Sequence, residues 1–413
     1  MPKSTPVKVD EQVVRNIISS KDIITFFQPV LSITTKSIVG FEAYSRAGKS
    51  ACAIEASQLF YGDLSSDLKV DVDRLCREKA LEQFKPIHAK HKGMHLFLNI
   101  NPDMLSHLKT REVVLPAQVE AAGIPPSNIV LEWPFSPKYM EDVADFCELF
   151  SGLGFKICLD GCSVDDSFSH VLTKLQPDMV KIDRSFFGED ERKSYSARTL
   201  EALRSVAERI GAVVIGQQVE SEAESLRLLT AGIHLQQGDY YTKDEHDKTG
   251  DPAKMFFKKI LDTHEEFKLF KRKLVSRKKE RFGTAFRSVT SICSKFANLS
   301  EDRFEEGCKT IVKTVGDVIS VFVVDEFGVQ ITSRVHGKSQ NAATTADFLL
   351  SSGKGADHSV EDYVLYLDMG YEKFVTTPFS SPFTGETACI ISKPFFSQDG
   401  ERYTVCIELP YPG

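Results

Sequence analysis

From residue 23 to about residue 241 the chain alternates short apolar runs with longer stretches whose apolar residues recur at three- and four-residue spacing. The short runs are FFQPVLSI, SIVGFEAYSR, LFLNI, NIVLEW, FKICLD, MVKID and AVVIGQ. The longer stretches, among them 71–84, 138–153 and 194–210, read as amphipathic helices. This alternation leaves few architectures open, because strands lying parallel in one sheet need a crossover between them. An α/β domain with a largely parallel sheet is expected, either a barrel or an open doubly wound sheet. Polar residues close several runs: Asn99, Asn101, Glu132, Asp160, Lys181 and Asp183. In a (β/α) barrel those strand ends form the face where chemistry is done. A helix cap or a loop polar accounts for any one of them, but less readily for the whole series.

The 413 residues exceed what one core usually holds, so about two domains are expected. Residues 1–250 are assigned to the α/β domain, 251–285 to a linker helix and 286–413 to a smaller unit. Asp251 and Pro252 suit a helix start, and KLFKRKLVSRKKER continues it with an apolar stripe of Phe267, Phe270 and Leu274. That basic run reads as the solvated face of a connecting helix, and the net charge of −7 gives no reason to expect a nucleic-acid polymer as partner. The last segment is expected to be an antiparallel sheet with flanking helices. Its strand candidates are VISVFVVDEFGVQITS, DYVLYLD, ETACIISKPFF and RYTVCIELP. His336 and His358 there have no obvious acidic or cysteine company. No apolar run reaches the ~20 residues of a membrane span. The nine cysteines are scattered without zinc spacing, and Cys158, Cys389 and Cys406 read as small core residues. A reducing cytoplasm is the expected location, with no membrane partner.

Several motifs, in order along the first domain, resemble the EAL family. Gln28-Pro29 is similar to its QP, and Glu42-Ala43-Tyr44-Ser45-Arg46 to its ExLxR with tyrosine replacing leucine. Asn99 stands in an N-x-N-P setting, Glu132 in the place of the first glutamate of LExTE, and Asp160 in that of the first aspartate of DDFGTG. Lys181-Ile182-Asp183 is the family's KID. Glu220 and Gln237 match the last glutamate of EGVE and the glutamine of QGY. The resemblance covers residues 22 to 245. It implies a TIM-like (β/α) barrel, a cyclic-di-GMP pocket and hydrolysis by metal-activated water between two cations ~3.5–4 Å apart. The C-terminal segment resembles, more weakly, PAS/Cache-like sensory modules, through DEFGVQITS and the stretch from FVTTPFSS to CIEL.

By that resemblance Glu42, Asn99, Glu132 and Asp160 would ligate one metal, Mg²⁺ or Mn²⁺, and Lys181 and Glu220 are retained catalytic positions. Gln28, Glu42, Tyr44, Arg46, Asn99, Asp183 and Gln237 would hold the nucleotide, with Arg46 on a phosphate. Two ligands of the second metal are replaced by Gly161, which offers no donor atom, and Gln217, which has lost the charge. A second metal is therefore not expected. Phe135 stands where the family has the second glutamate of LExTE, and Asp165 and Asp166 are the acidic residues available as substitutes. The first reading is a cyclic-di-GMP receptor or regulator on a degenerate phosphodiesterase barrel, without appreciable hydrolysis. The second is a slow metal-dependent phosphodiesterase, and the third a scaffold that binds no nucleotide. A homodimer is expected, with an unidentified downstream protein and an unidentified ligand for the C-terminal module.

Overall fold

The computed structural model describes residues 10–47, 54–55, 64–101, 114–134, 140–161, 168–188, 197–242, 255–337 and 353–411. The chain divides into two compact units between Lys268 and Leu269. In the first unit the seven apolar runs named above become strands β1 (Ile23–Ser32), β2 (Ser37–Ala47), β4 (His95–Asn99), β5 (Ile129–Pro134), β6 (Lys156–Asp160), β7 (Met179–Ile182) and β8 (Val213–Gly216). Two short strands complete the sheet: β3 (Ile54–Glu55), paired to β2, and β9 (Leu235–Gln236).

The sheet closes. β2, β4, β5, β6, β7, β8 and β9 run parallel in that order, and β1 joins β9 to β2 while running antiparallel to both. Of the two architectures open from the alternation, the structure is thus the eight-stranded barrel, with one strand reversed. Period-two alternation divides its side chains between two cores. Val30, Phe97, Val130, Cys158 and Ile215 form an apolar plug inside the barrel. Their sequence neighbours Leu31, Leu96, Leu98, Ile129, Leu131, Ile157, Leu159 and Val214 face the helical shell. That shell includes the helices Ser66–Lys90, Met140–Gly152 and Ala197–Ile210, close to the periodic stretches read from the sequence. A helix at Glu11–Ser20, capped by Asp10 accepting from Val13 N at 2.9 Å, is additional to that reading.

Phe257–Phe296 is one continuous helix of 40 residues. Its start lies after Asp251 and Pro252, which fall outside the described residues. It merges the expected linker with the first expected helix of the C-terminal segment. Phe267 is buried in the barrel unit's own core, whereas Phe270 remains 39% exposed, so the apolar stripe is not one continuous face.

The second unit carries an antiparallel sheet. β10 (Ser320–Val324), β15 (Arg402–Pro410) and β14 (Thr387–Phe396) form its centre. β11 (Val335–His336) lies beside β10, while β12 (Phe374–Val375) and β13 (Phe379–Ser380) pair with β14. One face packs against Val289, Ile292, Phe296, Phe304 and Ile311 from the helices Phe257–Phe296 and Phe304–Thr314. DYVLYLD, expected as a strand, is instead the helix Asp362–Asp368. Tyr363, Val364 and Leu367 are its buried residues, and that spacing of one and four is helical. The seven cysteines among the described residues are buried free thiols. Among the described residues no helix is long and apolar enough to cross a membrane.

Candidate functional site

Directly above the apolar plug the strands bring their polar residues together. Antiparallel register sets Gln28 opposite Glu42, and parallel register sets Phe97 beside Glu42 and Asn99 beside Glu132. Glu42 is the hub. Its Oε1 accepts from Asn99 Nδ2 at 2.8 Å, and its Oε2 accepts from Lys181 Nζ at 2.6 Å and Gln237 Nε2 at 2.7 Å. Gln237 Nε2 also reaches Gln28 Oε1 at 2.9 Å. Gly238 helps to set this geometry: a Cβ there would lie 2.2 Å from backbone atoms of Val219, so glycine alone lets the chain after Gln237 pass so close.

Lys181 and Glu132 are both fully buried and form an ion pair. The centre thus sets two carboxylates against one ammonium. Burial works against ionisation of Glu42, but the Lys181 charge, with hydrogen bonds from Lys181, Asn99 and Gln237, outweighs it and holds the group down at about 2. Burial likewise opposes the Lys181 charge, yet Glu132 and Glu42 push its pKa well above the usual lysine value. Glu132 goes the other way: burial first, then the Glu42 charge, raises it well above the carboxylate range. Glu132 Oε1 meets the Lys181 ammonium, whereas Oε2 has no hydrogen-bond partner among the described residues. Burying polar atoms in that state is costly. Asp160, at the end of β6, is also raised, by burial.

Asp160 meets the residue expected to have lost its function. Gln217 Nε2 donates to Asp160 Oδ1 at 2.6 Å. An amide N–H therefore occupies a lone pair that a cation would otherwise use. Gly161, next along, has φ +68° and no described residue within 4 Å of where a Cβ would stand. Phe135, Asp165 and Asp166 lie outside the described residues.

Not every expected residue joins the centre. Asp183 caps the short turn Arg184–Phe186, accepting from Ser185 N at 2.8 Å. Glu220 is ion-paired with Arg184, which also donates to Glu224 Oε1 at 2.6 Å. Glu224 in turn closes the capping box of the helix Glu222–Thr230, so Glu220 is held at a helix start. Tyr44 and Arg46 follow Glu42 at two-residue steps on the same face of β2 and are both partly exposed. The Tyr44 hydroxyl turns back toward Glu42, where burial and that carboxylate raise its pKa. Phe26 was not singled out from the sequence. It stands 50% exposed opposite Tyr44, with the Arg46 guanidinium carbon 5.1 Å from its ring centroid. The signal available for it was the two-residue spacing Phe26–Gln28–Val30.

The oxygen donors of Glu42, Asn99, Glu132 and Asp160 are of the type a hard divalent cation takes, and Glu132 Oε2, with no partner among the described residues, is what such an ion would satisfy. The described residues contain no group of three or more histidine, cysteine, aspartate or glutamate side chains arranged to hold an ion. Lys181 at present supplies the positive charge between Glu42 and Glu132. Among the described residues, Gly161 and the Gln217 amide stand beside Asp160.

This barrel, with its polar centre at the strand ends, is that of a known family. Residues 11–244 match the EAL domain, and the chain belongs to the EAL family. Over 403 residues it is 22% identical to the uncharacterized EAL-domain containing protein YkuI of Bacillus subtilis (strain 168), covering 94% of this chain and 95% of that protein. The crystal structure of YkuI, described as a complex with substrate c-di-GMP and calcium, matches with a TM-score of 0.78 at 21% identity. The match covers 98% of this chain and 99% of that one, so the likeness in fold extends through both units. The probable cyclic di-GMP phosphodiesterase PdeB of Escherichia coli (strain K12) is 24% identical over 233 residues, 55% of this chain and 44% of that protein.

Proposed function

We propose that the chain is a receptor or regulator for cyclic-di-GMP, built on an EAL barrel that hydrolyses it little or not at all. The observation that carries this reading is the hydrogen bond from Gln217 to Asp160, beside a glycine with no donor atom. A two-cation displacement needs both attacking and leaving oxygens stabilised. With one ligand absent and another replaced by an amide whose N–H points at the shared aspartate, the second cation has no seat. The binding half of the site keeps its parts: Gln28 and Gln237 already joined, Glu42 beside them, and Arg46 exposed at the mouth. That YkuI was seen with c-di-GMP supports extending nucleotide binding to this chain.

A single Mg²⁺ or Mn²⁺, held by Glu42, Asn99, Glu132 and Asp160, belongs to the same reading. When bound it would polarise a phosphate oxygen. The unpartnered Oε2 of Glu132 favours one alternative, a slow phosphodiesterase working with that one ion. Turnover of cyclic-di-GMP by the full chain in Mg²⁺ or Mn²⁺ separates the two. Hydrolysis is expected to be negligible, and a turnover near 1 s⁻¹, the low end of the ordinary range of about 1–10³ s⁻¹, would sink the receptor reading. The double variant Gly161→Asp with Gln217→Glu is expected to gain activity. No described residue crowds the Gly161 Cβ position, and aspartate tolerates positive φ better than most residues. In cells the receptor would act as a homodimer passing its state to a downstream protein, with the C-terminal unit as a PAS/Cache-like module.

A further inference from the structure

We infer that Phe26 is a base-stacking residue, forming with Tyr44 an aromatic ledge that takes one guanine of the dinucleotide. The inference rests on the nucleotide reading above and adds a residue to it. Three observations meet at Phe26. First, it is a large apolar side chain left 50% exposed in a strand whose next inward residues, Gln28 and Val30, belong to the polar centre and the plug. Its other neighbour, Phe27, packs outward on Phe41 and Phe84, so the exposure of Phe26 is not shared along the strand. Second, β1 is the reversed strand, so its beginning lies at the same end of the barrel as the carboxyl ends of the parallel strands. That register places Phe26 directly across from Tyr44, itself 42% exposed, one outward step from the pair Gln28–Glu42. Side chains directly opposite on one face of an antiparallel pair stand about 4.5–5.5 Å apart at Cβ, close enough to present a joint surface. Third, Arg46 lies over the Phe26 ring, so the group expected on a phosphate is tied to the ring expected beneath a base.

The ledge supplies what the polar centre lacks. Gln28 and Gln237 can read hydrogen-bonding edges, but an edge contact alone leaves both faces of a purine in water. Stacking covers a face, is tolerant of base identity, and weakens binding by about 5- to 100-fold when the aromatic is cut to alanine. The cation–π contact also orients Arg46 before the ligand arrives, so removal of the ring loosens the phosphate contact too.

The test uses the full chain and cyclic-di-GMP. Phe26→Ala is expected to weaken binding by about 5- to 100-fold, and Phe26→Leu, which keeps bulk without a π face, nearly as much. Phe26→Trp is expected to bind at least as tightly as wild type. It also adds a reporter, because Trp133, the single native tryptophan, is buried. The new indole should be quenched on saturation. Wild-type binding with unchanged affinity in Phe26→Ala, or an unquenched indole at saturation, removes the ledge and leaves the receptor reading standing. No binding by wild type removes both. Since Phe26 is half exposed, the alanine variant is expected to keep the wild-type melting temperature, which a thermal scan checks.

Discussion

Both units bury charge, and they do so in opposite ways. In the barrel Lys181 faces two carboxylates, Glu42 and Glu132, and the second has one oxygen, Oε2, without a partner among the described residues. In the C-terminal sheet Arg334 faces one carboxylate, Glu408, at 3.6 Å, and Glu408 also accepts from Ser320 Oγ at 2.7 Å. The Arg334 guanidinium lies over Phe322, 4.2 Å from its centroid. Nearby, Tyr363, His358 and Gln330 form a chain of contacts at 2.6 and 3.0 Å that ends on the carbonyl of Thr332. Charge there is balanced one to one, Arg334 against Glu408, although Glu408 Oε1 and Arg334 Nε have no hydrogen-bond partner among the described residues. The barrel centre carries an excess of acid that only a proton or an added cation relieves. A buried centre kept out of balance has a use for what it lacks.

Removing the cation from each unit tests this most severely. Lys181→Met strands two buried carboxylates and is expected to cost about 3–5 kcal/mol, the usual loss when one partner of a buried pair is deleted. Arg334→Met strands one, still bonded to Ser320, and should cost less. Equal losses by chemical denaturation would erase the contrast. Binding comes next in size. Arg46→Ala should weaken cyclic-di-GMP about ten- to hundredfold, by loss of a charge-assisted hydrogen bond worth about 1.5–3 kcal/mol. Unchanged affinity by calorimetry would mean that Arg46 does not meet the phosphate.

The smallest effect is the sharpest. Glu132→Gln keeps the shape and removes the excess acid, so the variant without metal should melt at or slightly above the wild-type temperature. The sign follows from the raised pKa of Glu132. A carboxyl raised in the folded state favours folding below its unfolded value and loses that advantage as pH rises. The difference between variant and wild type should therefore grow from about pH 4.5 upward. A variant that melts lower at pH 7 than at pH 5, relative to wild type, would reverse the argument.

Much of the barrel was legible because buried parallel strands are short, unbroken apolar runs, and a polar residue such as Glu132 or Asp160 stands out at their ends. β9 was not, since two residues carry no periodicity. DYVLYLD misled because its apolar spacing fits a strand as well as a helix over so few residues. At the site, the replacements Gly161 and Gln217 were readable as residue types. The direction of the Gln217 amide, which makes it a donor toward Asp160, needed coordinates. Glu220 sits in the family's motif position, yet its pairing with Arg184 depends on two loops meeting across 36 residues of sequence. Phe26 escaped because the reversal of β1, which brings it to the mouth, is a property of the closed sheet.

That reversal also bears on how the barrel assembles. β1 and β2 form a hairpin with ten paired positions, a local contact of the kind that forms early in folding. The opposite side of β1 is held to β9 by only two, Leu31 with Gln236 and Ser32 with Leu235. The ring is therefore thinly sewn on both sides of β9, which also meets β8 at only two positions, Ile215 with Leu235 and Gly216 with Gln236. Local opening is easiest where contacts are few, so the short strand β9 is a place where the closed barrel would breathe, and a ligand spanning Gln28 and Gln237 would act as a clasp across its β1 side.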